Sequence, residues 1–343
     1  MNWIGSATVC LVLPCQVCNA QSADLDPVHR GNWPGFRRGR ANHVVVKGNY
    51  AYVTTQTGLQ VIDISDPSNP QSVGGTAVRG ELMDLEVVGD YLHVTAASAD
   101  LQVIDVTDPR MPQRVGSYAA HAQYPGVEVV GGYLYFLGAG SFRVIDISDP
   151  RNLRQLTQYA GSGPVIDVAT AGNYAYLVGN GRLEVLNASD PVNPQRVGVY
   201  EGAGLGIAVA IVGSYAYVAA GYDGLKVIDV SDPANPWLAG TYNSGGYAQA
   251  LVAVGSVVYL ADGWSGLNVI DVSDASRPRS VSGLGLGDSV RAVFVANHRL
   301  YVTAGWTGLH ESESLLLKAE AKPEARSSWV STPTWRTVGA ACK

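Results

Sequence analysis

Gly224-Leu225-Lys226-Val227-Ile228-Asp229-Val230-Ser231-Asp232-Pro233-Ala234-Asn235-Pro236 decides the fold, because the chain repeats it. Val-Ile-Asp recurs at Val61-Ile62-Asp63, Val103-Ile104-Asp105, Val144-Ile145-Asp146, Val227-Ile228-Asp229 and Val269-Ile270-Asp271. A degenerate copy, Val185-Leu186-Asn187, fills the gap, so the step is 41 or 42 residues throughout. A fixed period of about 40 residues with strand-like content is the signature of a repeat architecture.

Around this stretch each unit has a second part. An apolar run, a Gly turn and a Tyr-rich run follow one another, as in Ile211-Val212-Gly213-Ser214-Tyr215-Ala216-Tyr217-Val218. The turn slot holds Gly48, Gly89, Gly131, Gly172, Gly213, Gly255 and then Asn297, which counts seven units. Gly, with Asn as its best substitute, supplies the positive φ of a tight hairpin. Within Leu225–Val230, apolar residues fall on both strand faces, so the sheet is covered on both sides. The Ser-Asp-Pro turn follows: Asp caps a backbone N–H and Pro presets φ. A second proline (Pro70, Pro112, Pro194, Pro236, Pro278) then opens a short polar strand of edge type.

Each unit therefore predicts four short antiparallel strands. Seven such units make an all-β, seven-bladed β-propeller; a solenoid is the alternative and would need polar caps at both ends. Residues 28–35 resemble the fourth strand of other units, which predicts that the N-terminal segment closes the last blade.

The Val-Ile-Asp-Val-Ser-Asp-Pro unit, preceded by Val-x-Val-x-Gly-x-Tyr-Ala-Tyr-Val, resembles the LVIVD repeat family over roughly residues 41–309. The resemblance implies a bacterial or archaeal surface or exported propeller with no shared catalytic residues. The match lapses at the end. Trp306-Thr307-Gly308-Leu309 starts a seventh copy in register, but Glu311-Ser312-Glu313 occupies the Val-Ile-Asp slot. Charge at a buried strand position is costly. The expectation is an incomplete last blade, with the propeller over 21–310 and an atypical tail over 311–343.

Composition fits. Hydrophobic residues at 47% and 40 glycines suit a turn-rich β protein rather than a disordered chain. The net charge is −6; removing the eleven aspartates of the repeated turns would leave +5. No Lys/Arg run is long enough for a nucleic-acid stripe, Arg37-Arg38-Gly39-Arg40 being the densest cluster. The cysteines, Cys10, Cys15, Cys18 and Cys342, all lie outside the repeats, so disulfides do not hold the fold. Residues 1–20 read as a signal peptide, with an apolar stretch from Ile4 to Leu13 and small residues at Cys18-Asn19-Ala20. Export to the periplasm, cell surface or medium is expected. No other apolar stretch reaches the length of a membrane span.

Function is expected on the loops that vary between units. Tyr222, Trp264 and Trp306 share one slot in three successive units, with Tyr247, Tyr124, Trp33 and Phe36 in neighbouring loops. Exposed aromatics suit a glycan or a protein partner; packed against other loops they would only fill the channel mouth. The slot before each inner strand holds His43, Asp84, Gly126, Asp167, Ala208, Ala250 and Ala292. His43, Asp84 and Asp167, near Arg38 and Arg40, are the candidates for a metal or acid/base site, although their spacing is not that of metal ligands and carboxylates that hydrogen-bond loop N–H groups are the commoner arrangement. The turn aspartates offer too few oxygens for calcium and read as caps. No nucleophile elbow, phosphate loop, His-Glu-x-x-His or dinucleotide fingerprint is present, so neither a cofactor nor a metal is expected. The leading reading is a non-enzymatic binding or scaffolding module. The alternative is a hydrolase or lyase acting on an extracellular carbohydrate. The oligomeric state is left open.

Overall fold

The computed structural model describes residues 28–33, 40–56, 58–78, 82–96, 100–119, 126–130, 132–138, 141–161, 163–297 and 299–313. These form strands β1 to β28 in chain order, in seven antiparallel four-stranded sheets, with no helix among the described residues. The first blade shows the plan: β2 (Ala41–Lys47), β3 (Tyr50–Thr55), β4 (Gly58–Asp63) and β5 (Gln71–Ala77), side by side from inside to outside. The inner strands of the following blades are β6 (Leu82–Val88), β10 (Val127–Val130), β14 (Asp167–Ala171), β18 (Ala208–Val212), β22 (Ala250–Val254) and β26 (Val290–Ala296). Each touches the next, and β26 touches β2, so the ring is closed and the fold is a seven-bladed β-propeller.

Closure works as expected. Strand β1 (Val28–Trp33) pairs antiparallel with β28 (Gly308–Glu313), outside β27 (Arg299–Ala304) and β26. The first and last of the described strands thus share one sheet. Apolar side chains of that sheet (Phe294, Tyr301, Leu309) also share a core with Val45, Tyr52 and Leu59 of the first blade.

The last blade is complete in its third strand, contrary to the expectation from its charges. Glu311 is buried opposite Tyr301, and the Arg299 guanidinium donates to its Oε1. A buried carboxylate is tolerated once a cation and hydrogen bonds meet it. Burial, and secondarily the Glu311 charge, hold the Tyr301 phenol well above its ordinary range.

The Val-Ile step has a role that periodicity does not reveal. Strands three and four slip register between Val61 and Ile62, Val103 and Ile104, Val144 and Ile145, Val185 and Leu186, Val227 and Ile228, and Val269 and Ile270. The outer strand carries one extra residue there, a β-bulge that sharpens the twist. The next residue on that strand is often glycine, because the Asp-Pro turn of the following blade packs on it. A Cβ would stand 2.3 Å from the Pro109 carbonyl oxygen at Gly74, 2.0 Å from that of Pro150 at Gly116, and 2.1 Å from that of Pro233 at Gly198. Gly116→Val should therefore force two blades apart and lower stability by about 3 kcal/mol or more, read as the urea midpoint. A midpoint unchanged from wild type would show that the turn moves aside freely.

The turns cap themselves. Asp63 Oδ1 accepts the Ser65 N–H at 2.9 Å, and Asp66 Oδ1 accepts the Ser68 N–H at 3.0 Å. The same pair of bonds recurs at Asp105 and Asp108, and at Asp229 and Asp232. Hydrogen bonds from the Ser65 hydroxyl and N–H hold the Asp63 carboxyl below its usual range. Asp63 is only half-buried, so its partner is its own turn rather than the interior of a covered sheet.

Candidate functional site

Two regions gather polar or aromatic chemistry: the inner wall of blades two to four, and the loops between strands two and three of blades five to seven.

On the inner wall, Asp84 is the third residue of β6 and Asp167 opens β14. Asp84 Oδ2 accepts the N–H of Val127 in the next blade at 3.0 Å, and Oδ1 accepts that of Leu85 at 2.9 Å. Asp167 Oδ2 accepts the N–H of Val209 in its next blade at 2.8 Å. His43 Nδ1 lies 3.3 Å from Asp84 Oδ1, and both side chains are buried. These groups are staples between blades. Both Asp84 oxygens and Asp167 Oδ2 accept backbone N–H groups, which is the arrangement expected of structural aspartates.

Sequence reading missed the more unusual members of this wall. Two residues beyond the Asp84 slot the seven blades carry Val45, Glu86, Glu128, Ala169, Ala210, Val252 and Phe294. Only blades two and three place a carboxylate there. The residue opposite on the second strand is Tyr52, Tyr135, Tyr176, Tyr217, Tyr259 or Tyr301 in six blades, but His93 in the second. Aligning the repeats against one another would have exposed both departures. Glu86 and His93 are direct cross-strand partners, so their side chains leave the sheet on the same face. Burial, then the Asp84 charge, pushes the Glu86 carboxyl well above its ordinary range. Burial, then Glu86, does the same to Glu128. Burial pulls His93 down to about 4, so its ring is neutral at physiological pH. Among the described residues, no group of three or more His, Cys, Asp or Glu side chains is placed to hold a metal ion.

On the loop side, three equivalent turns read Gly221-Tyr222-Asp223-Gly224, Gly263-Trp264-Ser265-Gly266 and Gly305-Trp306-Thr307-Gly308. Their glycines have positive φ, 65° at Gly221 and 60° at Gly263, which turns the following ring outward. Each turn is bonded to the chain entering the next blade. Gly221 exchanges two backbone bonds with Ala248, Gly263 O accepts from Val290, and Gly305 O accepts from Ala41 across the ring closure. Asp262 braces the Trp264 turn, accepting from Ser244 Oγ at 2.7 Å and Asn268 Nδ2 at 3.1 Å. Its burial raises the carboxyl, and these bonds oppose the rise.

The rings themselves stand in solvent: Tyr222 is 77% exposed, Trp264 80% and Trp306 56%. Packing into the channel mouth is thus not their state. Tyr247 meets Tyr222 edge to face at 4.7 Å between centroids, and the Arg40 guanidinium lies 5.2 Å from the Trp306 ring centre. Both contacts orient a ring. Tyr124 and Arg38 lie outside the described residues, as does Phe36.

No helix among the described residues is long and apolar enough to cross a membrane. A search of curated proteins finds no match. Among solved structures the chain is similar to the computationally designed Ika8 protein, at 12% identity and a TM-score of 0.59, covering 80% of this chain and 83% of that one. It is also similar to BamB from Moraxella catarrhalis, at 14% identity and a TM-score of 0.54, covering 77% and 79%. At such identities the likeness is one of fold alone. The family description "LVIVD repeat" matches residues 38–77, 79–120, 124–160, 162–201, 203–244 and 245–282. With most of its length in six matched copies that the structure turns into consecutive blades, the chain belongs to the LVIVD repeat family.

Proposed function

We propose that this propeller is an exported, non-enzymatic recognition module that binds its ligand with the loop face of blades five to seven. The observation that carries the reading is the row of exposed rings Tyr222, Trp264 and Trp306 on turns tied to the next blade. An exposed Trp gains nothing for the fold, whereas on a rigid support it provides contact area at low entropic cost. Export is supported by the apolar leader at 4–13 and the small residues at 18–20. N-terminal sequencing of the secreted product tests it; a start after Ala20 is expected, and an intact Met1 in the cytoplasm would refute it.

The hydrolase or lyase reading has less support. Asp84 and Asp167 accept backbone hydrogen bonds, and Glu86 and Glu128 face an inner wall shared with Val45, Ala169 and Ala210. Recognition is tested with the double variant Trp264→Ala/Trp306→Ala on glycan and protein arrays. Because both rings stand in solvent, the variant should melt within about 2 °C of wild type. Its binding should be lost. Retained binding would move the recognition surface elsewhere.

A further inference from the structure

The rings' surroundings indicate what they recognise. Each is flanked by glycine on one side and a polar residue on the other: Gly221 and Asp223, Gly263 and Ser265, Gly305 and Thr307. Asp262, itself fully buried, holds the Trp264 turn from beneath through Ser244, and Asp288 accepts the backbone N–H of Trp306. Leu205 comes close to Gly221 and extends the first platform. A protein hot spot needs a ring of packed contacts around it to exclude water. Glycine and short polar groups do not supply that ring. They leave flat faces bordered by hydrogen-bonding groups, which suits a pyranose: its C–H face lies on the aromatic plane while its hydroxyls meet polar groups at the edge. The platforms are also three copies of one turn, placed one blade apart by the repeat. Like platforms at regular steps match a ligand made of like units.

Resting on the recognition reading above, we propose that the ligand is a glycan chain, with pyranose units two or more residues apart along it stacked on Tyr222, Trp264 and Trp306, since packed sheets lie about 10 Å apart. Trp264 is the central platform and the most exposed. Arg40, on the Trp306 ring, holds the outer one in orientation. No single ring provides much affinity, so binding depends on simultaneous engagement of several.

The test is calorimetric titration of the full chain with neutral mono-, di- and hexasaccharides of glucose, mannose and N-acetylglucosamine. At least one hexasaccharide is expected to bind, at least tenfold more tightly than its disaccharide. Trp264→Ala should weaken it about tenfold and Trp264→Phe much less. The melting temperature of each variant reports that the fold is intact. Failure of every saccharide to bind overturns the glycan assignment. So does equal affinity of hexasaccharide and monosaccharide, or full affinity in the Trp264→Ala chain. If saccharides fail while a purified protein ligand from the array is lost in Trp264→Ala/Trp306→Ala, the recognition surface stands and only its ligand class falls. If both fail, the recognition reading falls with it.

Discussion

A chain lacking residues 24–36 is expected to melt about 10 °C below the full chain. The deletion removes β1, which pairs with β28 over five residue pairs from Val28↔Glu313 to Trp33↔Leu309. Ladder bonds at about 1 kcal/mol each give several kcal/mol directly. The larger consequence is topological. β1 is the strand that ties the N-terminal side of the ring into the last blade, so without it the first and last blades hold together only by the packing of Phe294, Tyr301 and Leu309 against the first blade and by a few hydrogen bonds, such as Ala41 N–H to Gly305 O and Thr303 Oγ1 to Asn42 O. Glu311 then loses the strand that covers it, while its bond to Arg299 must hold in a wetter site. A peptide of residues 24–36 added in trans should restore much of the loss. A truncated chain melting with the full one would show that the ring does not depend on the strand. A lower melt that the peptide does not repair would assign the loss to something other than strand pairing.

Raising the pH above the ordinary carboxylate range should destabilise the protein, and Glu86→Gln/Glu128→Gln should abolish most of that slope. Both carboxyls have folded pKa values well above the ordinary carboxylate range, because burial and their neighbours Asp84 and Asp167 disfavour the charged form. The folded chain therefore binds more protons than the unfolded chain above the unfolded pKa. The stability linked to those protons is fully present below that value and is lost as pH rises through the folded pKa values. Each unit of separation is worth about 1.4 kcal/mol. His93 acts in the opposite sense: with its pKa near 4 when folded, it makes the chain less stable as pH falls below its unfolded value. Above neutrality His93 no longer titrates, and the raised tyrosines are common to both chains, so the difference between wild type and the double variant there isolates the carboxyls. Melting temperatures of the wild type and the double variant, measured across this range, should diverge with the variant higher at alkaline pH. Parallel curves would mean that solvent already relieves the pair.

The blade was legible in the chain because its signals are local. A Gly at a hairpin tip needs positive φ whatever surrounds it, and Gly48, Gly89 and Gly213 have it, as does Asn297. An Asp-Pro turn caps itself from within four residues, as Asp66 does with Ser68. The count of seven followed from repetition, and closure by residues 28–33 followed from the likeness of that segment to an outer strand.

Other features depend on contacts between units and leave no local mark. Gly74 and Gly116 look like ordinary strand glycines until the next blade's turn is placed on them. Glu311 looked like a break in the last unit until Arg299 came to lie against it. Asp84 and Asp167 could be read as chemistry or as acceptors of loop N–H groups, but the N–H groups they meet belong to Val127 and Val209 of the next blades, about forty residues further on. The aromatic turns show the same division. Their shared slot was visible in the chain, but whether Trp264 was packed or exposed depended on how closely neighbouring loops approach it. The repeat pattern sufficed for the secondary structure and its order, since hydrogen bonds and turn geometry within a blade act over a few residues. The closed ring decided which polar groups are satisfied and which rings face water, since both depend on surfaces that meet only when the blades are assembled.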